Sequence, residues 1–173
     1  MSQLKVNSII PVSGVPTGGG GGIIQIVQTY KTDGTSQSGN SSSTYYDISG
    51  MSVTITPTSS SSKILVNWVA QINSNNTGRN NSIRLLRDST AIGNSTAGSS
   101  QNAQTDHRTI SDTNCHPFTM LFLDSPNTTS AVTYKLQWAI EGSGGNATTY
   151  YLNRDQYASQ GAVSHITAME VSA

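Results

Sequence analysis

Asp106-His107 followed by Cys115-His116 is the one cluster in this chain whose residue types could bind a metal or attack a substrate. Zinc needs three or four ligands converging as a tetrahedron, usually with a short Cys or His pair at each end. One cysteine and two histidines at this spacing are too few. A Cys115 nucleophile served by a His116 base fails for a different reason, because adjacent side chains on a strand point to opposite faces. The cluster therefore reads as a structural cysteine, buried or half-buried at a strand start, beside a polar histidine. No catalytic residue, metal or cofactor is expected. Cys115 is the single cysteine of the chain and can form no intrachain disulfide.

Carboxylates offer little more. Glu141 and Glu170 are the only glutamates, and most aspartates sit in turn contexts such as Arg87-Asp88-Ser89 and Leu123-Asp124-Ser125, where the side chain caps its own backbone. A glycosidase would need distant aspartates brought together by the fold, which nothing in the spacing favours. The run Gly18 to Gly22 is no phosphate cradle, since it lacks the Gly-Lys-Ser/Thr ending and a following helix. The reading is of a protein that is not an enzyme.

Sugar stacking is the remaining chemistry. Tyr45, Tyr46, Tyr150, Tyr151 and Tyr157 offer ring faces, with Asn and Ser in adjoining loops as hydrogen-bond partners. The alternative is that such pairs place one ring in the core and the other at a subunit contact.

Those residues must be positioned by a chain of unusual composition. Its 173 residues fit one domain. They include 27 serines, 21 threonines, 14 asparagines and 16 glycines, while charged residues make up only 10%. Ordinary soluble domains carry about 25% charged residues. Hydroxyls and amides in their place suit a surface partly covered by copies of the same chain; a turn-rich β protein is the plainer reading. Nine basic side chains balance nine acidic ones and the arginines are dispersed, so nucleic acid is disfavoured as a partner. No apolar stretch approaches the roughly 20 residues that span a bilayer, so no membrane insertion is expected, and the N-terminus lacks the apolar core of a signal peptide.

Five consecutive glycines, Gly18, Gly19, Gly20, Gly21 and Gly22, divide the chain. Glycine loses the most conformational freedom on ordering and packs nothing, so the run is a swivel. Before it, Leu4, Val6, Ile9, Ile10 and Val12 are apolar, and Pro11 and Pro16 deny the segment a place in a central strand. Residues 1–22 are thus expected to be an attachment arm with its hinge, and residues 23–173 a single β domain.

Within that domain Ile23 to Tyr30 reads as a first core strand. Asp33 to Ser43 reads as a polar loop, and Thr44 to Ile48 and Met51 to Thr56 as two strands joined through Ser49-Gly50. Lys63 to Ile72 is the strongest segment, with Ile64, Val66, Trp68, Ala70 and Ile72 on one face. Ser82 to Arg87 returns from it and turns tightly at Arg87 to Thr90. Asn94 to Gln104 holds no large apolar residue and reads as a long exposed loop, or as a segment ordered only by a neighbouring chain. His107 to Ile110, Pro117 to Leu123, Ala131 to Ile140, Thr149 to Leu152 and Ser164 to Val171 complete about ten strands with no helix. The pattern predicts an all-β antiparallel sandwich, a jelly roll by first choice, anchored by Trp68 and Trp138, each indole with a partner for its N–H.

One resemblance adds to this. Met1-Ser2-Gln3-Leu4-Lys5-Val6-Asn7-Ser8-Ile9, then Pro11, the glycines and Gly22-Ile23-Ile24-Gln25-Ile26-Val27-Gln28-Thr29, resembles the opening of small virion structural proteins of tailed bacteriophages, in particular tail-fibre-like and appendage proteins of marine phages. Ile166-Thr167-Ala168-Met169-Glu170-Val171 is similar to the last strand of that group. The likeness covers the two ends of the chain, and the middle matches only in style. It implies a virion location, an arm that docks on other virion proteins, and a β body that forms a homotrimer. A short tail-fibre or appendage tip for host attachment fits, as does a capsid decoration or head-fibre protein, or a tip that holds host glycan. The absence of shaft repeats argues against a long fibre.

Overall fold

The computed structural model describes residues 22–77, 80–97, 103–108, 114–141 and 146–172. Leu4, Val6, Ile9, Ile10, Val12 and Gly18 to Gly21 lie outside the described residues. Eleven strand segments follow one another: β1 (Ile23–Lys31), β2 (Thr35–Gly39), β3 (Ser41–Ile55), β4 (Lys63–Ser74), β5 (Asn80–Arg87), β6 (Thr90–Ile92), β7 (Thr105–Arg108), β8 (His116–Asp124), β9 (Val132–Ile140), β10 (Thr148–Leu152) and β11 (Ser164–Val171). There is no helix among the described residues.

Every pairing between them is antiparallel, and they form two sheets. In sheet A, β8 pairs with β4, β4 pairs on its other side with β11 and then β10, and these pair in turn with β1 and β2. In sheet B, β3 pairs with β9, β9 with β5, and β5 with both β6 and β7. Taking β1 with β2, β6 with β7 and β10 with β11 as single interrupted strands leaves eight strands. Their order is first, eighth, third and sixth in sheet A, and second, seventh, fourth and fifth in sheet B. That arrangement is a jelly roll.

The core lies between the sheets. β4 alternates strictly, with Ile64, Val66, Trp68, Ala70 and Ile72 buried, and from sheet B it meets Val132, Tyr134, Leu136, Trp138 and Ile140 of β9. Both indoles are buried as the sequence leads one to expect. Trp68 Nε1 donates to Gln104 Oε1 at 3.0 Å, whereas Trp138 Nε1 has no partner among the described residues.

Four local expectations need correction. β1 is an edge strand of sheet A, not a core strand: Ile24 and Ile26 face outward, and Ile26 is 62% exposed. Thr35 to Gly39 is not a loop. Its backbone pairs residue by residue with β10, and an edge strand held through main-chain hydrogen bonds needs no apolar side chains. Ser49-Gly50 does not separate two strands but forms a bulge within β3. The register shifts between Asp47 and Ser52, and Gly50 takes φ +79, a left-handed value that glycine reaches without a Cβ clash. The segment after Asn94 ends buried, because Ala103 is covered and Gln104 N donates to Ile83 O at 2.8 Å.

Candidate functional site

The eight-strand frame gives the sandwich two distinct ends. At the proximal end Ser172 N donates to Gly22 O at 3.1 Å, which puts the start of the described residues beside the last strand. The connections 56–62, 88–89 and 125–131 lie at this end too. Strands β4, β7 and β9 end at the other, distal end, at Ser74, Arg108 and Ile140.

Proximal charges are committed to structure. Glu170 is fully buried and accepts from Thr58 N and Thr58 Oγ1, each at 2.7 Å. Burial pushes its carboxyl up, but the hydrogen bonds from Thr58, Ser62 and Ser59 outweigh that and hold it below the usual carboxylate range. Asp124 is buried and bridges the sheets: Arg87 Nη1 lies 2.9 Å from Oδ1, and Tyr134 Oη donates to Oδ2 at 2.7 Å. Burial first, and then Asp124, raises the Tyr134 phenol, so it stays protonated as the donor.

The outer face of sheet B carries a second polar chain. Arg84 Nε and Nη2 donate to Gln137 Oε1 at 2.8 and 2.6 Å. Gln137 Nε2 passes the polarity on to Asp47 at 2.6 Å, and Lys135 Nζ reaches the same carboxylate at 2.9 Å. Lys135 and then Gln137 lower the Asp47 carboxyl through these bonds. These are satisfied ionic pairs on a solvated surface.

The sequence's one chemical cluster is divided between the two sheets. Asp106 and His107 belong to β7 in sheet B, while His116 begins β8 in sheet A. Cys115 is half-buried just before β8. Burial, reinforced by the charge of Asp155, pushes its thiol up, which keeps it from acting as a thiolate. Among the described residues no three His, Cys, Asp or Glu side chains group to hold a metal.

The five tyrosines likewise do not converge. Tyr150 is fully buried, edge-on to Trp138 at 6.4 Å, with its hydroxyl donating to Asn80 O, so it is a core residue and no contact for a glycan or subunit. Tyr46 packs against the core as well. Tyr45 lies under the Arg84 guanidinium at 3.7 Å on the outside of sheet B. Tyr151 lies under that of Arg154 at 4.4 Å on the outside of sheet A. Tyr157 stands 68% exposed on the loop between β10 and β11. That loop is pinned at its stem by Asn153, whose Nδ2 donates to Lys31 O at 2.8 Å and Asp33 O at 3.1 Å.

What the sequence missed is the outside of sheet A. Ile24, Ile26 and Tyr30 of β1 and Leu121 and Leu123 of β8 are exposed there, from 41% to 62%. The signal was present in Leu121-Phe122-Leu123, where apolar residues follow one another without alternation. Such a run marks a strand covered on both faces.

No family model matches this chain, and no curated protein matches it. Solved structures do. A chain of infectious bursal disease virus, Gx strain, is 12% identical with a TM-score of 0.44, the match covering 98% of this chain and 42% of that one. A chain of T=1 particles derived from infectious bursal virus is 11% identical at 0.39, covering 97% and 44%. The VP2 subviral particle of infectious bursal disease virus gives 12% and 0.39, covering 97% and 46%. This chain thus spans less than half the length of each, and its fold class stands on the strand pairing itself.

Proposed function

We propose that this chain is a non-enzymatic structural protein of a bacteriophage virion, a short tail-fibre or appendage tip that docks through residues 1–17 and displays its jelly roll as a homotrimer for host attachment. The supporting observation is the polarity of the body. In this reading the arm leaves at Gly22, beside Ser172, at the proximal end, and the strand ends Ser74, Arg108 and Ile140 lie at the opposite one. A domain held at one end and free at the other is suited to display. Among the described residues the pairs Arg87–Asp124 and Lys135–Asp47 hold strands together, a use of charge that suits a structural role. In this reading Gly18 to Gly22 absorb the mismatch between the axis of the body and the symmetry of its attachment site.

Particles assembled with a chain lacking residues 1–22 test this. The body is expected to remain folded and trimeric by light scattering yet to be missing from purified particles. Incorporation of the truncated chain at the normal level would refute arm docking. Imaging of the whole particle decides between tail and capsid.

A second reading, a glycan-binding tip, is favoured by Tyr157, the one tyrosine of the five with an open ring. It requires signal on a glycan array, at a concentration where avidity helps, that Tyr157→Ala abolishes.

A further inference from the structure

The outward side chains of sheet A line up in rows across its strands. Ile26 pairs with Met169, Met169 with Leu65 and Leu65 with Leu123, so one row is apolar through four strands. Ile26 and Leu123, at its two ends, are 62% and 47% exposed. The next row runs Gln28, Thr167, Asn67 and Leu121, and the one beyond it Tyr30, His165, Val69 and Thr119.

Two features show that this face tolerates being covered. Part of its polarity is already paired on the face itself, since Gln28 Nε2 donates to Thr167 Oγ1 at 2.8 Å and His165 Nε2 lies 3.1 Å from Asn67 Oδ1. Covering the face leaves those two contacts intact, so the atoms that make them escape the penalty of burial without a partner. The face also has no carboxylate, because Asp124 and Glu170, the acidic residues of these four strands, are buried on the inner side. Lys63 stands alone at a corner.

We propose that this face is buried against a second copy of the chain, which specifies the self-contact that the trimeric reading above requires and rests on that reading. Charge complementarity selects the occupant. A surface without carboxylates asks for a partner surface equally free of charge. The outside of sheet B, with Arg84, Lys135 and Asp47, is not such a surface. The sheet A face of another copy is, and three such faces can converge around one axis. Size agrees. Four strands about 4.8 Å apart, rising about 3.3 Å per residue over the 9 residues of β1 and of β8, give a plan area on the order of 600 Å². With side-chain relief this approaches the ~800 Å² per partner of a standard interface.

Light scattering on the full chain at micromolar concentration tests this, with Leu123→Glu and Leu65→Glu placed on the row and Thr54→Glu on the outside of sheet B as control. The wild type and Thr54→Glu are expected to be multimers, and the two row variants to fall to the 18.2 kDa monomer while keeping the far-ultraviolet dichroism of a sandwich. Leu65 is half-covered by neighbours; if Leu65→Glu does not fold, Leu123→Glu on the edge strand decides alone. Row variants that keep the wild-type mass overturn the proposal while leaving the trimer standing. A monomeric wild type overturns both. A multimer that survives the row variants but dissociates in the full chain carrying Val6→Glu and Ile9→Glu assigns the contact to the arm, and also overturns it.

Discussion

Replacing Glu170 probes how the proximal end is held. Its carboxylate is fully buried and ties β11 to the connection 56–62 through Thr58 N and Thr58 Oγ1, both at 2.7 Å, while Gln25 Nε2 approaches at 3.4 Å from β1. A hydrogen bond to a charged group contributes about 1.5–3 kcal/mol. Glu170→Ala removes the two bonds from Thr58 together with those from Ser62 and Ser59; the exposed Thr58 recovers water, whereas Ser62, 3% exposed, recovers little. The expected loss is about 3–4 kcal/mol. Glu170→Gln keeps one acceptor oxygen and should lose about 1–2 kcal/mol.

Acid adds an independent check. Because the folded carboxyl titrates below its ordinary 4.5, the folded state binds fewer protons than the unfolded chain. This stabilisation is therefore fully present above the ordinary value and disappears as pH falls through the lowered one. Urea unfolding of wild type and Glu170→Gln at one protein concentration should show a constant gap at pH 6 to 7 that closes toward pH 3. Taking the difference cancels the acid response of Asp33, Asp47 and Asp155, which are also lowered. A Glu170→Ala loss under about 1 kcal/mol, or a gap that widens in acid, would refute the reasoning.

Two further outcomes follow from buried geometry. Asp124→Ala strands Arg87 and the Tyr134 hydroxyl and should cost about 3–4 kcal/mol in chemical denaturation, with Asp124→Asn costing less because it still accepts from Tyr134. Gly93 has φ +65, and a Cβ there would lie 2.6 Å from the Phe122 ring, so Gly93→Ala should lower stability by about 2–3 kcal/mol in thermal melts.

The sandwich was legible wherever burial is one-sided. In β9 the inward residues alternate mainly with polar ones, and in β4 a strict alternation of buried and half-buried positions carries Trp68 and its neighbours inward, so the period of two identifies both strands. β2 was not legible, because Thr35 to Gly39 is held by main-chain pairing with β10 and its side chains carry no pattern. The bulge at Gly50 reads locally as a turn, since a left-handed glycine serves both. Tyr150 and Tyr151 look alike in sequence, and only the strand's phase sends one to the core and the other under Arg154. The candidate interface on sheet A was hidden for a related reason. Ile26, Met169, Leu65 and Leu123 come from four distant strands, and their alignment exists only after the registers are fixed.

The position of β11 has a consequence in time. It lies between β1 and β4, pairing Lys31 with Ser164 on one side and Val69 with His165 on the other. Sheet A therefore cannot close until the chain has been synthesised through Val171, and its pairings span most of the sequence. Long-range contacts of this kind slow folding. The apolar row is complete only when Met169 takes its place, so a nascent chain that has not yet reached β11 lacks the finished surface.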